Sequence, residues 1–143
     1  MVASQDNVVK SIKRLYLLMT KHIERELKVY GLARSQFQVL YFIHQAGKVT
    51  QKELQQTMQV EPATLTVIID GLVKKSLLEK SENAKDKRSN VIKLTRKGEN
   101  LRKKIPSLHE IIEEKMFRNF TKADKESSIK VISQIIQNLE EED

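Results

Sequence analysis

Apolar positions along the chain recur mostly at steps of three and four, with only four Gly and two Pro to interrupt them. Val8, Ile12, Leu15, Met19, Ile23, Leu27 and Tyr30 keep this rhythm, which predicts a long amphipathic helix ending at Gly31. Its narrow stripe suits packing against other helices. Ser35 with Gln38 three residues on reads as a capping box for a second helix, which Gly47 stops. Thr50 and Glu53 repeat the device and open a short third helix carrying Leu54 and Met58. Pro62 suits the first position of a fourth helix, where its missing N–H has no intrahelical duty. Leu65, Ile68, Ile69 and Leu72 then share one face of that helix, within about 100° of each other. Two short helices joined by Gln59-Val60-Glu61 make a helix-turn-helix candidate.

Leu77 to Ser81 and Asn90 to Leu94 are too short for independent helices, and a polar turn-rich stretch separates them, so they predict a two-stranded hairpin. Thr95 is placed to cap a fifth helix through Leu101, Ile105, Leu108, Ile112 and Met116, kinked at Pro106. Thr121 with Asp124 starts a last helix whose apolar face is Ile129, Ile132, Ile136 and Leu139. The acidic end, Glu140 to Asp143, opposes the helix dipole and is expected to fray. The expected fold class is therefore mainly α with a small β-hairpin wing, a winged helix-turn-helix set between long terminal helices.

Composition narrows the function. The 143 residues fit one domain, and at 39% apolar and 31% charged the chain is light on core, which favours burial against a second copy. The lack of Cys excludes disulfides, thiolate metal sites and thiol redox chemistry, and suits a reducing cytoplasm. No apolar run approaches the roughly 20 residues of a membrane span, and the first residues carry no secretory h-region, so the expected location is cytoplasmic.

The net charge of +7 is unevenly placed. Residues 74–104 hold twelve Lys or Arg against four acidic residues, while the rest of the chain is balanced. A localised surplus of this kind is the footprint of a polyanion-binding surface. In a helix-turn-helix the second helix enters the major groove of duplex DNA. Here that recognition helix spans 62–75, and its outward face would present Ala63, Thr64, Thr66, Val67, Asp70, Gly71 and Lys74. The set offers hydroxyls and methyls for thymine methyl groups and phosphates, but no Arg, Asn or Gln for bidentate readout. The basic wing, 82–90, supplies what the helix lacks. Lys85, Lys87 and Arg88 can reach phosphates or enter a narrow minor groove, and Asp86 is placed to fix the direction of the Arg88 guanidinium.

No Gly-rich phosphate loop, nucleophile-base-acid set or paired catalytic carboxylates occur in motif context, so the chain is not expected to be an enzyme and no cofactor is implied. His22 and Glu26 stand at i, i+4 without a third ligand, so no metal site is expected.

Residues 49–98 resemble the MarR family of bacterial regulators. The resemblance rests on Val49-Thr50-Gln51-Lys52-Glu53-Leu54, Leu65-Thr66, Ile69-Asp70-Gly71-Leu72 and Lys74-Lys75-Ser76-Leu77-Leu78-Glu79-Lys80. It rests above all on Asp86-Lys87-Arg88-Ser89 followed by Leu94-Thr95-Arg96-Lys97-Gly98, similar to the family's wing signature. The resemblance implies one MarR-like domain over 1–143, with a DNA-binding lobe at 32–98 and a helical dimerisation region at 5–31 and 99–143. It further implies a homodimeric transcriptional regulator, by default a repressor, on a pseudo-palindromic operator. Arg88 would lie in the minor groove with Asp86 as its support, and Gln51 and Ser89 would join the DNA-binding set. Half-sites of such a dimer would lie about 10 to 10.5 base pairs apart. Small phenolic or anionic effectors are common in the family, and would here draw on Tyr16, His22, Tyr41, His44 and His109. Two departures stand out: Val67 where Arg is frequent, and Glu61 where a Ser-like cap is frequent. A winged-helix adaptor that binds protein instead of DNA is the alternative, and such an adaptor would have no need of Arg88 or the basic surplus.

Overall fold

The computed structural model describes residues 7–86 and 88–142. In chain order they form α1 (Val8–Lys28), α2 (Arg34–Ala46), β1 (Lys48–Thr50), α3 (Gln51–Met58), α4 (Pro62–Lys74), β2 (Leu78–Glu82), β3 (Asn90–Leu94), α5 (Arg96–Lys104), α6 (Leu108–Met116) and α7 (Lys122–Glu140). They divide into two compact units, one ending at Ser107 and the other beginning at Leu108.

The first unit is the winged helix. Its core gathers Leu27 from α1, Val39, Leu40 and Ile43 from α2, Leu54 from α3, Leu65, Ile69 and Leu72 from α4, and Leu78 and Ile92 from the strands, all essentially inaccessible to solvent. Each such side chain stabilises the fold by about 1.5–3 kcal/mol relative to exposure. The helix boundaries follow from local chemistry. Thr50 Oγ1 accepts from Glu53 N at 3.1 Å while the Glu53 carboxylate takes the Thr50 N–H at 3.4 Å, the reciprocal cap expected of that spacing. Pro62 heads α4, and Thr95 Oγ1 accepts from Gly98 N at 3.0 Å to open α5. The turn of the helix-turn-helix passes through Gln59 at φ 54°, a left-handed conformation taken here by a residue with a side chain.

Three expectations are corrected. The second helix begins at Arg34, one residue before Ser35, because Gln36 rather than Gln38 reaches back: its Oε1 accepts the Ala33 N–H at 3.0 Å, and Ala33 O takes the Phe37 N–H at 3.1 Å. The wing is not a lone hairpin but part of a three-stranded antiparallel sheet of order β1-β3-β2. The short β1 pairs Lys48 with Lys93, Val49 with Ile92 and Thr50 with Val91, so the edge of β3 away from the hairpin is also satisfied. Pro106 does not kink a continuous helix; it separates two. Ile105 is extended at φ −96°, ψ 122°, because a residue before Pro is crowded out of the helical region.

In the second unit, Thr121 caps α7 by accepting from Asp124 N at 3.0 Å. Lys125 of α7 forms an ion pair with Glu113 of α6 and lies 5.3 Å above the Phe117 ring, which meets Phe120 edge-on. The Lys125 ammonium holds the Glu113 carboxyl below its usual range through this hydrogen bond and charge. Among the described residues no helix is long and apolar enough to cross a membrane.

Candidate nucleic-acid interface

The N-termini of α3 and α4 and the wing meet at one groove, lined by Gln51, Lys52, Thr66, Lys80, Arg88 and Ser89 among others. Local turn chemistry builds its wing side. Asn83 Oδ1 accepts the Lys85 N–H at 3.1 Å, Asp86 Oδ1 accepts the Arg88 N–H at 3.0 Å, and Asp86 O accepts the Ser89 N–H at 3.1 Å. These side-chain-to-backbone bonds shape the loop between β2 and β3. Asp86 therefore acts on the backbone more than on the guanidinium, whose Nε is 3.9 Å away, beyond hydrogen-bonding distance. The Arg88 side chain is 97% exposed and free to reach outward. Ser89 is buried beside it, its hydroxyl without a hydrogen-bond partner among the described residues. Lys85 is exposed at the tip, whereas Lys87 lies outside the described residues.

The helix side is more restrained than its residue types suggest. Ala63, Thr64, Val67 and Lys74 are exposed on α4. Thr66 is half-buried, and its hydroxyl donates to Pro62 O at 3.0 Å while accepting from Gln51 Nε2 at 3.0 Å. That chain of bonds ties the start of α3 to the first turn of α4. Asp70, whose charge would repel a phosphate, is paired with Lys80 of β2 at 2.8 Å. Lys52 and Lys80, absent from the sequence-based set, belong to the groove. For Lys80 the available signal was the exposed face of a strand flanked by the basic wing.

The residues proposed for effector binding are spread through the fold. His44 Nδ1 meets Glu99 Oε2 at 2.9 Å, linking α2 to α5. The Tyr41 hydroxyl accepts from Gln45 Nε2 at 2.9 Å, and the Arg102 guanidinium sits 5.4 Å above its ring. Tyr16 is exposed, and Arg34 lowers its pKa by hydrogen bonding and charge. His22 is half-buried, its Nδ1 without a partner among the described residues, and His109 is exposed on α6 in the second unit. Tyr41 and His44 thus have structural employment of their own. No three His, Asp or Glu among the described residues come close enough to hold a metal ion.

A helix-turn-helix with a three-stranded wing and cations on the outer face of both defines a winged-helix regulator. The sequence profile of the MarR family matches residues 32–90. The HTH-type transcriptional regulator YwoH of Bacillus subtilis is 29% identical over 121 residues, covering 85% of this chain and 88% of that protein. The multiple antibiotic resistance protein MarR of Salmonella typhimurium is 32% identical over 96 residues, covering 64% and 67%. The crystal structure of a mutant MarR from E. coli complexed with operator DNA shares the fold with a TM-score of 0.75 at 22% identity, over 93% of this chain and 96% of that one. The chain belongs to the MarR family and is a transcriptional regulator, not an enzyme.

Proposed function

We propose that the chain is a homodimeric repressor that holds a pseudo-palindromic operator with α4 in the major groove and the wing in the adjacent minor groove. The observation that carries this reading is the wing tip: Arg88, almost wholly exposed, stands over a groove shared with the N-termini of α3 and α4. It lies in the segment that holds the whole basic excess of the chain. Fixed backbone bonds from Asn83 and Asp86 hold the loop, so ordering it on DNA costs less entropy than closing a free loop would. Occupancy of an operator overlapping a promoter would exclude polymerase, which accounts for repression. Small phenolic or anionic effectors, as the family resemblance implies, would release the dimer.

The test is fluorescence anisotropy on duplexes from the region upstream of the chain's own gene, at several salt concentrations. Wild type is expected to bind with a log–log salt slope of about −0.9 per phosphate neutralised. Arg88→Ala is expected to weaken binding about tenfold or more, consistent with 1–3 kcal/mol for one specific contact. Lys122→Ala is the matched control, being 92% exposed; Lys125, the natural first choice in the last helix, is engaged with Glu113 and Phe117. Equal, negligible effects of the two changes would remove the wing from the interface. Absence of duplex binding even at low salt would favour the adaptor reading. A phenolic acid added to the same assay tests release.

A further inference from the structure

The outward stripe of α4 runs through positions 63, 67, 70 and 74, at the four-three-four spacing that keeps residues on one helical face. Polar groups on and beside this face are committed to other protein groups. The Thr66 hydroxyl spends its only hydrogen on Pro62 O, and the Gln51 amide nitrogen is turned to Thr66 instead of outward. The Asp70 carboxylate, the one group on the stripe able to accept from a cytosine amino group, is held by Lys80. What remains uncommitted over the first two turns is Ala63, Thr64 and Val67.

Val67 is 71% exposed. A β-branched residue in open water gains nothing from packing and lowers helix propensity slightly, so its place on α4 has no stabilising role. Its two methyl groups, with those of the likewise exposed Ala63 and Thr64, give the first two turns of α4 a small apolar surface, with Lys74 further along the same stripe. The major groove offers one apolar feature that matches it: the C5 methyl group of thymine.

Resting on the DNA-binding reading above, we propose that α4 recognises its operator by the C5 methyl groups of thymines, contacted by Ala63, Thr64 and Val67. The lysines supply sequence-independent attraction to the backbone, Arg88 takes the minor groove as above, and the methyl contacts set the register of α4 in the major groove. The preferred half-sites are accordingly those with thymines at the positions facing the first two turns of α4.

A duplex site is selected from a randomised pool by the purified chain, then prepared with thymine or with uracil, which lacks only the C5 methyl. Affinities are measured for wild type and Val67→Ala, a change at an exposed site that leaves the core intact. Wild type is expected to bind about fourfold more weakly for each contacted methyl removed, the loss expected for one methyl taken out of apolar contact. Single uracil substitutions should locate these thymines, and in Val67→Ala the penalty at one of them per half-site should vanish. Equal affinity of wild type for thymine and uracil duplexes would overturn the proposal while leaving the DNA-binding reading intact. So would a penalty unchanged at every thymine in Val67→Ala, which would report DNA shape and not contact. Failure to select any duplex would remove the underlying reading, and this inference with it.

Discussion

Gly98 shows how much a single missing side chain can decide. A Cβ at this position would overlap the carbonyl oxygen of Leu77 and crowd the Leu94 side chain, because the start of α5 lies directly against the backbone entering β2. Thr95 closes the same junction: its hydroxyl donates to Ser76 O at 2.6 Å and its N–H to Leu77 O at 3.1 Å, while its Oγ1 caps α5. The Leu-Thr and Gly of the wing signature are thus a clamp that fixes the return of the wing, whereas Arg88 of the same signature is free. Gly98→Ala is expected to destabilise the fold by about 1–3 kcal/mol through backbone displacement, read as a lower denaturation midpoint with unchanged slope. Thr95→Ala should cost about 1–2 kcal/mol by loss of the cap. If both variants kept wild-type stability and lost only DNA affinity, the clamp would be wrong and the pair would belong to the interface.

At the scale of elements, the link between α6 and α7 depends on pH. Within the second unit, α6 and α7 are joined through Glu113 and Lys125, and the Glu113 carboxyl titrates below its usual range. A carboxylate with a depressed folded pKa stabilises above its unfolded value, about 4.3, and loses that contribution as pH falls through the folded pKa. The link is therefore constant through neutral pH and is lost in acid. NMR titration of side-chain carboxyls should place Glu113 below the free glutamate value, and Lys125→Ala should return it toward that value. A wild-type Glu113 titrating at the free value would mean that the ion pair does not persist in solution. The interruption at Pro106 belongs to this scale too. The sequence carried its signal, since Ile105 precedes a proline, but the apolar period continues across 105, 108 and 112 and reads as one helix. Backbone sterics override side-chain periodicity there.

For the whole molecule, apolar helix faces stand exposed among the described residues. Val8, Ile12 and Leu15 on α1 and Ile129, Ile132, Ile136 and Leu139 on α7 remain exposed although they keep helical spacing. An exposed apolar helix face of this kind marks an interaction site, and in the proposed homodimer a second copy covers each of them. Ile132→Glu is expected to shift sedimentation equilibrium toward monomer, with far-UV circular dichroism little changed, and to weaken operator binding as the second half-site is lost. A variant that remained dimeric at micromolar concentration would exclude this face of α7 from the interface.

Sequence by itself determined all the helices of this protein but the break between α5 and α6, and most of their ends, because caps and apolar periodicity act over three or four residues. Thr50, Pro62, Thr95 and Thr121 stand where their chemistry places them. The concentration of charge near the wing and the family motifs were likewise legible, since both are properties of composition and order. Only the tertiary structure decided that Lys48–Thr50 becomes a strand, for three residues gain that state by pairing with β3, more than forty positions away. The same holds for the Gln51–Thr66 and Asp70–Lys80 contacts, which engage polar groups that spacing alone would have offered outward. Local rules say which groups a helix presents; packing of distant segments decides which of them are left free to bind.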